Sequence, residues 1–334
     1  MEERIDNDKK NLNVISLMMK YNAIVILIVL IIVSTVLSDA FLTATNIMNL
    51  LRQLVPLTLA SLGMLLVILT GGIDLSVASV TAVGGMFTGI LIANYNMTTS
   101  MGLFGTIVIV LAVGVLSGAI TGFFVIGLKM APFVASLATM TMARGFAYLM
   151  SNGQPVRLPM QAEATKALST FGSQSFLGIP WPVILAVIIT LIFVFITKNT
   201  VFGRLIIASG SNETAVRLAG ITVNKYIFFS YVICGMLCSL GGLVTTSRVA
   251  VAAPSIAVGL ELDAIAACVI GGASLAGGKG TVVNTIIGVL VLGLISNVMS
   301  LMSIAAYPQQ IIKGLIIVLA VFLQHLTNQE KKPV

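Results

Sequence analysis

Long apolar segments dominate this chain, and they restrict it to a protein built of membrane-spanning helices. The chain is 58% hydrophobic and 9% charged, whereas a soluble domain carries about 25% charged residues. A helix needs about 20 mostly apolar residues to cross a bilayer, and a barrel strand needs only about 10. The long runs therefore predict an all-α polytopic membrane protein. The predicted spans are 21–37, 54–70, 75–93, 102–127, 132–150, 181–197, 226–247, 261–276, 281–300 and 308–324.

Both ends of the chain are polar and predict short tails. Residues 1–20 and 327–334 flank a predicted transmembrane domain over residues 21–326. Ser38-Asp39-Ala40 resembles the cleavage site of a signal peptide. The 20-residue segment before the apolar run 21–37, however, carries several acidic residues. The apolar run is also longer than a usual signal-peptide core. These features favour an uncleaved first span.

The distribution of positive charge predicts the orientation of the chain. Cytoplasmic loops of membrane proteins are enriched in Lys and Arg. With the N-terminus inside, both tails and the 198–225 loop are cytoplasmic, and the 151–180 loop is external. The net charge of +7 then reflects topology and does not indicate a nucleic-acid partner. Inside are Arg4, Lys9, Lys10, Lys20, Lys129, Lys198, Arg204, Arg217, Lys225, Lys279, Lys331 and Lys332; outside are Arg52, Arg157, Lys166 and Arg248.

The 198–225 loop is polar and basic between apolar spans, and it predicts a short capped helix over residues 210–221. Ser211 is the predicted N-cap, and Gly220 lies where a helix stops. Two turns of helix are unstable alone in water. Ala215, Leu218 and Ala219 share one face, so we expect this face to dock in the groove of a partner.

Glycine patterns predict a repeat and close packing between helices. The segments 70–76 and 270–276 are similar at an offset of 200 residues, and repeated halves are common in transporters. Chance similarity between glycine-rich segments stays an alternative. The eighth predicted span, 261–276, is short and glycine-rich, which predicts a half-helix or a broken helix. Small-residue stripes, which let membrane helices approach closely, occur at Gly85 and Gly89 and at Gly114, Gly118 and Gly122.

Few charged side chains lie within or beside the spans. Asp74 either caps the third span at a cytoplasmic turn or, at membrane depth, has a functional role. Glu261 and Asp263 suit the start of a helix. Arg144 and Lys313 have apolar neighbours, so each is expected to snorkel, to form a pair or to face a polar cavity.

The sequence offers no convincing site for nucleotide, metal or covalent chemistry. Residues 274–281 approach a phosphate-binding loop, but Ala273 replaces the first glycine and Gly280 stands where Ser or Thr should follow Lys279. The three cysteines lie in apolar runs, which is not typical of a disulfide framework. Two function classes remain: a permease subunit energised by a separate protein, or a self-sufficient secondary carrier or channel. A docking helix and the lack of carboxylates well inside the spans favour the first class.

Several motifs in order resemble the ribose-type sugar permeases of bacterial ABC importers. They are the segments 63–77 (GMLLVILTGGIDLSV), 152–156 (NGQPV), 210–221 (GSNETAVRLAGI), 261–267 (ELDAIAA) and 271–280 (GGASLAGGKG). The resemblance covers residues 20–325. It implies a permease subunit in the bacterial cytoplasmic (inner) membrane, with both termini cytoplasmic. It further implies a second permease subunit, in a homodimer or as a related permease. Cytoplasmic ATP-binding subunits would hold ATP and Mg²⁺, and an extracytoplasmic sugar-binding protein would deliver the substrate.

The resemblance also implies roles for individual residues. The 198–225 loop would contact the ATPase, so that ATP binding and hydrolysis drive alternating access. Other monosaccharides, or a furanose-like signalling molecule, stay open as substrates, and an ion-driven carrier is the alternative outside the family. The ATPase-coupling residues are Asn212, Glu213, Ala215, Arg217, Leu218, Ala219 and Gly220; the candidate gate or pathway residues are Gly71, Gly72, Asp74, Ser76, Gly271, Gly272, Ser274 and Asn297.

A neutral sugar also calls for hydroxyl and amide groups along its path rather than charges. Side chains of this kind within or near the spans are Thr70, Ser76, Ser79, Thr139, Thr141, Asn284 and Asn297. Each of them also suits helix packing. Because a separate binding protein can select the sugar, the permease need not hold a tight site.

Overall fold

The computed structural model describes residues 22–95 and 97–329, and these residues form an all-α membrane bundle. The predicted tail at 1–20 and most of the tail at 327–334 lie outside the described residues. The helices are α1 Asn22–Leu37, α2 Ala44–Leu69, α3 Val77–Ala93, α4 Ser100–Ile126, α5 Pro132–Leu149, α6 Glu163–Ser173, α7 Trp181–Asn199, α8 Val201–Ser211, α9 Glu213–Leu218, α10 Val223–Val249, α11 Leu260–Ile270, α12 Val282–Leu301 and α13 Ala306–Gln329.

Each predicted span corresponds to a helix. Of the described helices, five are long and apolar enough to cross a membrane, namely α2, α4, α7, α10 and α12. The second predicted span began ten residues too late, because α2 starts with a polar turn capped by Thr43, whose hydroxyl accepts a hydrogen bond from the Asn46 amide. The eighth span is 11 residues long in the structure, from Leu260 to Ile270, and this confirms the prediction of a short helix.

Helix α10 packs in the centre of the bundle, and glycines on α4 bring it within backbone contact. A β-carbon on Gly114 would lie 2.5 Å from the Gly235 carbonyl oxygen, and one on Gly118 would lie 2.2 Å from the Tyr231 carbonyl oxygen. On α3, a β-carbon on Gly85 would lie 3.3 Å from the Gly242 oxygen. The predicted stripes are therefore packing faces, as small residues in membrane helices commonly are.

The core lies around α2, α10 and α11. The side chains of Leu59, Leu62 and Leu65 on α2 are fully buried, as is Tyr231 on α10. In contrast, one side of α4 exposes Phe104 and Leu116. A helix that is apolar all round and exposed on one side is typical of a helix that faces lipid or a second membrane subunit.

The 151–180 segment is a folded cap rather than an open loop. It contains α6 and the short strands β1 (Val156–Arg157), β2 (Ser175–Phe176) and β3 (Ile179–Pro180). Strand β1 pairs antiparallel with β4 (Val251–Ala252), and β2 pairs with β3. The cap is tied to α4 by a hydrogen bond from the Ser100 hydroxyl to the Glu163 carboxylate.

The two glycine-rich segments of the predicted repeat end their helices in the same way. The Gly72 amide bonds the Val67 carbonyl, and the Ala273 amide bonds the Cys268 carbonyl. Gly71 (φ 82°) and Gly272 (φ 83°) adopt the left-handed conformation that this Schellman motif needs. The structural repeat thus has an offset of 201 residues at these ends, one more than the sequence suggested. The left-handed residue is the first glycine of the pair at Gly71 but the second glycine of the pair at Gly272.

The packing predicts that Gly118→Ala destabilises the protein by about 1–3 kcal/mol, because its methyl group would overlap the α10 backbone. Gly105 lies on the same helix, and a β-carbon added there would have no neighbouring atom within 4 Å. Gly105→Ala is therefore the matched control, and we expect it to be neutral or slightly stabilising. Thermal unfolding of both variants in detergent would measure the difference; equal midpoints would contradict the packing.

Candidate functional site

The polar 198–225 loop forms two short helices, and the break between them lies at Asn212. The extended backbone of Asn212 ends α8 and starts α9, and its side-chain oxygen accepts a hydrogen bond of 2.9 Å from the Ala215 amide. The prediction of Ser211 as the N-cap was therefore wrong by one residue. Ser211 is the last residue of α8, where its hydroxyl bonds the Ile207 carbonyl. Gly220 stops the segment with a φ of 78°.

Charged side chains join α9 to the start of α10. The Arg217 Nε donates a hydrogen bond of 2.8 Å to the Glu213 carboxylate, four residues earlier. The same guanidinium also donates to the Asn224 side-chain oxygen at 2.6 Å. About half of each charged side chain remains exposed. A pair of this kind adds only about 0.3–0.5 kcal/mol, so its main effect is to orient α9 relative to α10.

The apolar face of α9 has no cover within the described chain. No residue of α9 is buried. Ala215 and Ala219 are exposed, and Leu218 is 84% exposed. A six-residue helix has too few hydrogen bonds to be stable alone. The exposed face is therefore suited to dock against another protein, as its sequence pattern indicated.

Behind α9, three backbone segments meet in direct contact. A β-carbon on Gly210 of α8 would lie 1.9 Å from the Leu69 carbonyl oxygen at the end of α2. The Gly278 amide donates a hydrogen bond of 3.0 Å to the same Leu69 oxygen. A β-carbon on Gly277 would lie 2.9 Å from the Gly71 nitrogen. We call this contact of Leu69, Gly71, Gly210, Gly277 and Gly278 the glycine junction.

The loop between α11 and α12 is shaped by its own hydrogen bonds. The Ser274 amide bonds the Lys279 carbonyl at 2.8 Å, and the Gly277 amide bonds the Ser274 carbonyl at 2.9 Å. The Ser274 hydroxyl accepts a hydrogen bond from the Ala276 amide. The loop is thus rigid enough to present Gly277 and Gly278 to α8. The stretch that approaches a phosphate-binding pattern in sequence serves here as a packing surface.

Asp74 forms the turn that starts α3. One of its carboxylate oxygens accepts hydrogen bonds from the Ser76 amide at 2.9 Å and from the Ser76 hydroxyl at 2.6 Å. The capping alternative is therefore correct in part: the carboxylate bonds the residue before the helix. The carboxylate is nevertheless buried, since Asp74 is 1% exposed. Burial raises the pKa of the Asp74 carboxyl, and the hydrogen bonds from Ser76 and Cys234 oppose that rise.

A cavity of about 610 Å³ connects α9 with the end of α2. Gly71 and Gly72 line one side of it, and Glu213 and Arg217 line the other. The Tyr231 hydroxyl also lines this cavity and has no hydrogen-bond partner among the described residues. Two of the seven predicted coupling residues and two of the predicted gate glycines therefore border the same space.

Thr70 also lines this cavity, whereas Asn297, Gly271 and Gly272 lie apart from its walls. Asn297 on α12 exchanges a pair of side-chain hydrogen bonds, at 2.9 and 3.0 Å, with Asn46 on α2. Gly271 packs on α12, since a β-carbon there would lie 2.4 Å from the Asn284 carbonyl oxygen. Gly272 has no atom that would crowd a β-carbon, so its left-handed turn is what requires glycine.

Sequence reasoning missed some contacts at this site. Gly210 and Gly277 were visible only as loop glycines, although they form the glycine junction. Lys313 was expected to find a partner, and the structure supplies Asp263 at 2.9 Å. Neither contact has a local sequence signal, because the partners lie far apart along the chain.

The chain is similar in sequence to known transport permeases. A family model described as branched-chain amino acid transport system / permease component matches residues 46–321. The chain is 38% identical to the ribose import permease protein RbsC of Haemophilus influenzae, over 97% of this chain and 99% of that protein. It is 36% identical to RbsC of Bacillus subtilis, over 96% of this chain and 97% of that protein. It is 34% identical to the L-arabinose transport system permease protein AraH of Escherichia coli K12, over 94% of this chain and 93% of that protein. No solved structure matches the chain significantly.

The Asp74 geometry predicts different effects for two substitutions. Asp74→Ala removes the acceptor of both Ser76 hydrogen bonds and should destabilise the protein by about 1–3 kcal/mol. Asp74→Asn retains a side-chain oxygen and should unfold near the wild-type midpoint at neutral pH. Thermal unfolding in detergent measures both, and equal loss in the two variants would contradict the hydrogen-bonding role.

The same carboxyl predicts a pH dependence of stability. Because burial raises the folded-state pKa, the folded protein holds this proton more tightly than the unfolded chain. The contribution of Asp74 to stability is therefore largest below the unfolded pKa of about 4 and declines as pH rises through the folded pKa. The Asn variant should lack this component. Unfolding midpoints measured against pH should differ in slope between wild type and Asp74→Asn, and parallel curves would contradict the assignment.

Proposed function

The chain belongs to the branched-chain amino acid transport system / permease component family, and on this basis we propose that it is the permease subunit of an ATP-driven monosaccharide importer. Ribose or a similar sugar is the proposed substrate. The observation that carries the proposal is end-to-end similarity to ribose import permeases, at 38% identity over 97% of the chain. The arabinose permease of similar length supports the same class of substrate.

The exposed face of α9 supports an ATPase as the energy source. Permease subunits of ABC importers are not ATPases themselves, so the energy of ATP must reach the spans through a contact with another subunit. Leu218 offers that contact an apolar centre, and Glu213 and Arg217 offer a polar rim. We assign the ATP and Mg²⁺ to the partner ATPase.

The glycine junction supports a rigid coupling between the docked ATPase and the pathway. A displacement of α9 moves α8. Through backbone atoms, α8 contacts both the end of α2 and the α11–α12 loop. Close-packed interfaces of this kind transmit rigid-body movement instead of absorbing it. The movement would switch the pathway between outward- and inward-facing states.

The proposed assembly contains further partners. A second permease copy would complete the pathway, and the exposed apolar side of α4 and its neighbours is available for lipid or for this copy. An extracytoplasmic sugar-binding protein would deliver substrate to the face that carries the folded 151–180 cap. This assigns α9 to the cytoplasmic side of the bacterial inner membrane, with both termini on that side, as the distribution of Lys and Arg favours.

The docking contact predicts that Leu218→Asp abolishes association with the ATPase. A carboxylate at the centre of the contact would have to be desolvated without a partner, which costs several kcal/mol. Membrane insertion should be unaffected, because Leu218 is exposed in this chain. Co-purification from membranes with the tagged ATPase measures the loss. Leu177, 87% exposed in the β2–β3 turn, supplies the control Leu177→Asp, which should retain the ATPase.

Retention of the ATPase by Leu218→Asp would contradict the docking assignment. Loss of association in both leucine variants would also contradict it, because the effect would then not be specific to α9.

The energy source predicts the behaviour of membrane vesicles. Ribose uptake should require ATP and the loaded sugar-binding protein, and should stop in ATP-depleted vesicles that hold an imposed proton or sodium gradient. Uptake that continues under the gradient alone would favour a secondary carrier and contradict the proposal.

A further inference from the structure

A second cavity, of about 310 Å³, lies among α3, α5 and the start of α11. Ser79 and Thr141 bring hydroxyl groups to its lining, and Arg144 and Glu261 bring charges. Met140 and Val258 add apolar surface. Small-molecule sites have volumes of about 300–1,000 Å³ and combine apolar walls with a few polar groups. This cavity therefore has the size and lining of a site for a small ligand.

The wall of the cavity includes backbone that is not helical. Helix α11 has 11 residues, which at about 1.5 Å per residue is too short to cross a hydrocarbon layer of about 30 Å. The segment 253–259 precedes it, with left-handed residues at Ala257 and Gly259. Irregular backbone at membrane depth occurs where it is buried in protein or lines a water-filled cavity. Broken helices of this kind line substrate sites in transporters.

Arg144 holds this irregular segment in place. One terminal nitrogen of its guanidinium donates to the Pro254 carbonyl at 2.7 Å and to the Ile256 carbonyl at 3.0 Å. A guanidinium has five N–H donors, so further donors remain for the cavity that Arg144 lines. Arg144 can therefore hold the 253–259 segment and still donate hydrogen bonds to a ligand in the cavity.

Glu261 reaches the same cavity without a partner. Its Oε2 is buried and accepts no hydrogen bond from any described residue. Arg144 and Glu261 influence each other electrostatically but form no ion pair within 4.0 Å. Two residues along the same helix, Asp263 is paired with Lys313 at 2.9 Å. A buried carboxylate oxygen without a donor is costly, and Glu261 lines the cavity, so a ligand bound there could supply the missing donor.

We propose that this cavity is the contact site for the monosaccharide during translocation. A sugar hydroxyl donates to the Glu261 carboxylate, and sugar oxygens accept hydrogen bonds from the free N–H groups of Arg144. Ser79 and Thr141 flank these contacts. This inference rests on the proposed function and adds the residues at which the permease itself recognises the sugar.

Charge balance favours a neutral ligand with many hydroxyl groups. Such a ligand satisfies both Arg144 and Glu261 while leaving their charges to compensate each other across the cavity. A simple anion or cation would pair with one of them and leave the other unpaired. A zwitterionic amino acid could pair with both, but the two lining hydroxyls, at Ser79 and Thr141, match a sugar better. Leucine is therefore used as a competing ligand in the test.

The first test is Glu261→Gln in the full complex with its ATPase and ribose-binding protein. The amide keeps the shape but loses the charged acceptor, and ATP-driven ribose uptake should fall about tenfold or more. Assembly and the ATPase activity without binding protein should be unchanged. Asp39→Asn, which neutralises an exposed carboxylate outside the cap that lines neither cavity, is the matched control and should transport at the wild-type rate. Wild-type uptake by Glu261→Gln would overturn the proposal.

The second test stays valid if Glu261→Gln fails to fold. Thr141→Cys places a thiol at the cavity, and the three described native cysteines are buried. A small polar methanethiosulfonate should label this thiol, and ribose supplied during turnover should slow the labelling several-fold. Labelling of Gln161→Cys, on the exposed cap, should not respond to ribose. No labelling of Thr141→Cys, no protection by ribose, or equal protection by leucine would each overturn the proposal.

The proposed function fails separately from this site. If the wild-type complex transports no ribose with ATP and loaded binding protein, the assigned function is wrong. If the wild type transports ribose and both cavity variants behave like it, only the assigned site is wrong.

Discussion

The backbone contact at the glycine junction is the constraint on which the inner organisation of this permease depends. Gly210 of α8 lies against the Leu69 carbonyl, and the Gly278 amide donates a hydrogen bond to that same carbonyl. No side chain separates these segments, so none can absorb a displacement by changing rotamer. Any movement of α8 must therefore shift α2, move the α11–α12 loop, or break the contact.

Each cavity borders an element that leads into this junction. The larger one is bordered by α9 and by Gly71 at the end of α2. The smaller one is bordered by Arg144 and by Glu261 at the start of α11, the helix whose far end leads into Gly277 and Gly278. A displacement that starts at α9 thus has a short physical route to α11. In the proposed mechanism this route joins the ATPase contact to the sugar contact.

Much of the bundle could be predicted from the sequence, because membrane spans have a strong local signal. Apolar length located the spans, and the glycine stripe at Gly114 and Gly118 indicated a packing face. Helix ends were harder to predict: Asn212, not Ser211, caps α9, since either residue type can cap and only the backbone conformation decides. Long-range contacts had no local signal. The pairing of Lys313 with Asp263 and the approach of Arg144 to Pro254 join residues about 50 and 110 positions apart.

The number of ribose molecules transported per ATP hydrolysed by Gly210→Ala tests the central claim most directly. The added methyl group would overlap the Leu69 carbonyl and separate α8 from α2, while the exposed face of α9 stays intact. We expect the complex still to assemble and to hydrolyse ATP, but the number of ribose molecules transported per ATP to fall well below the wild-type value. A wild-type ratio in a folded Gly210→Ala complex would contradict transmission through the glycine junction.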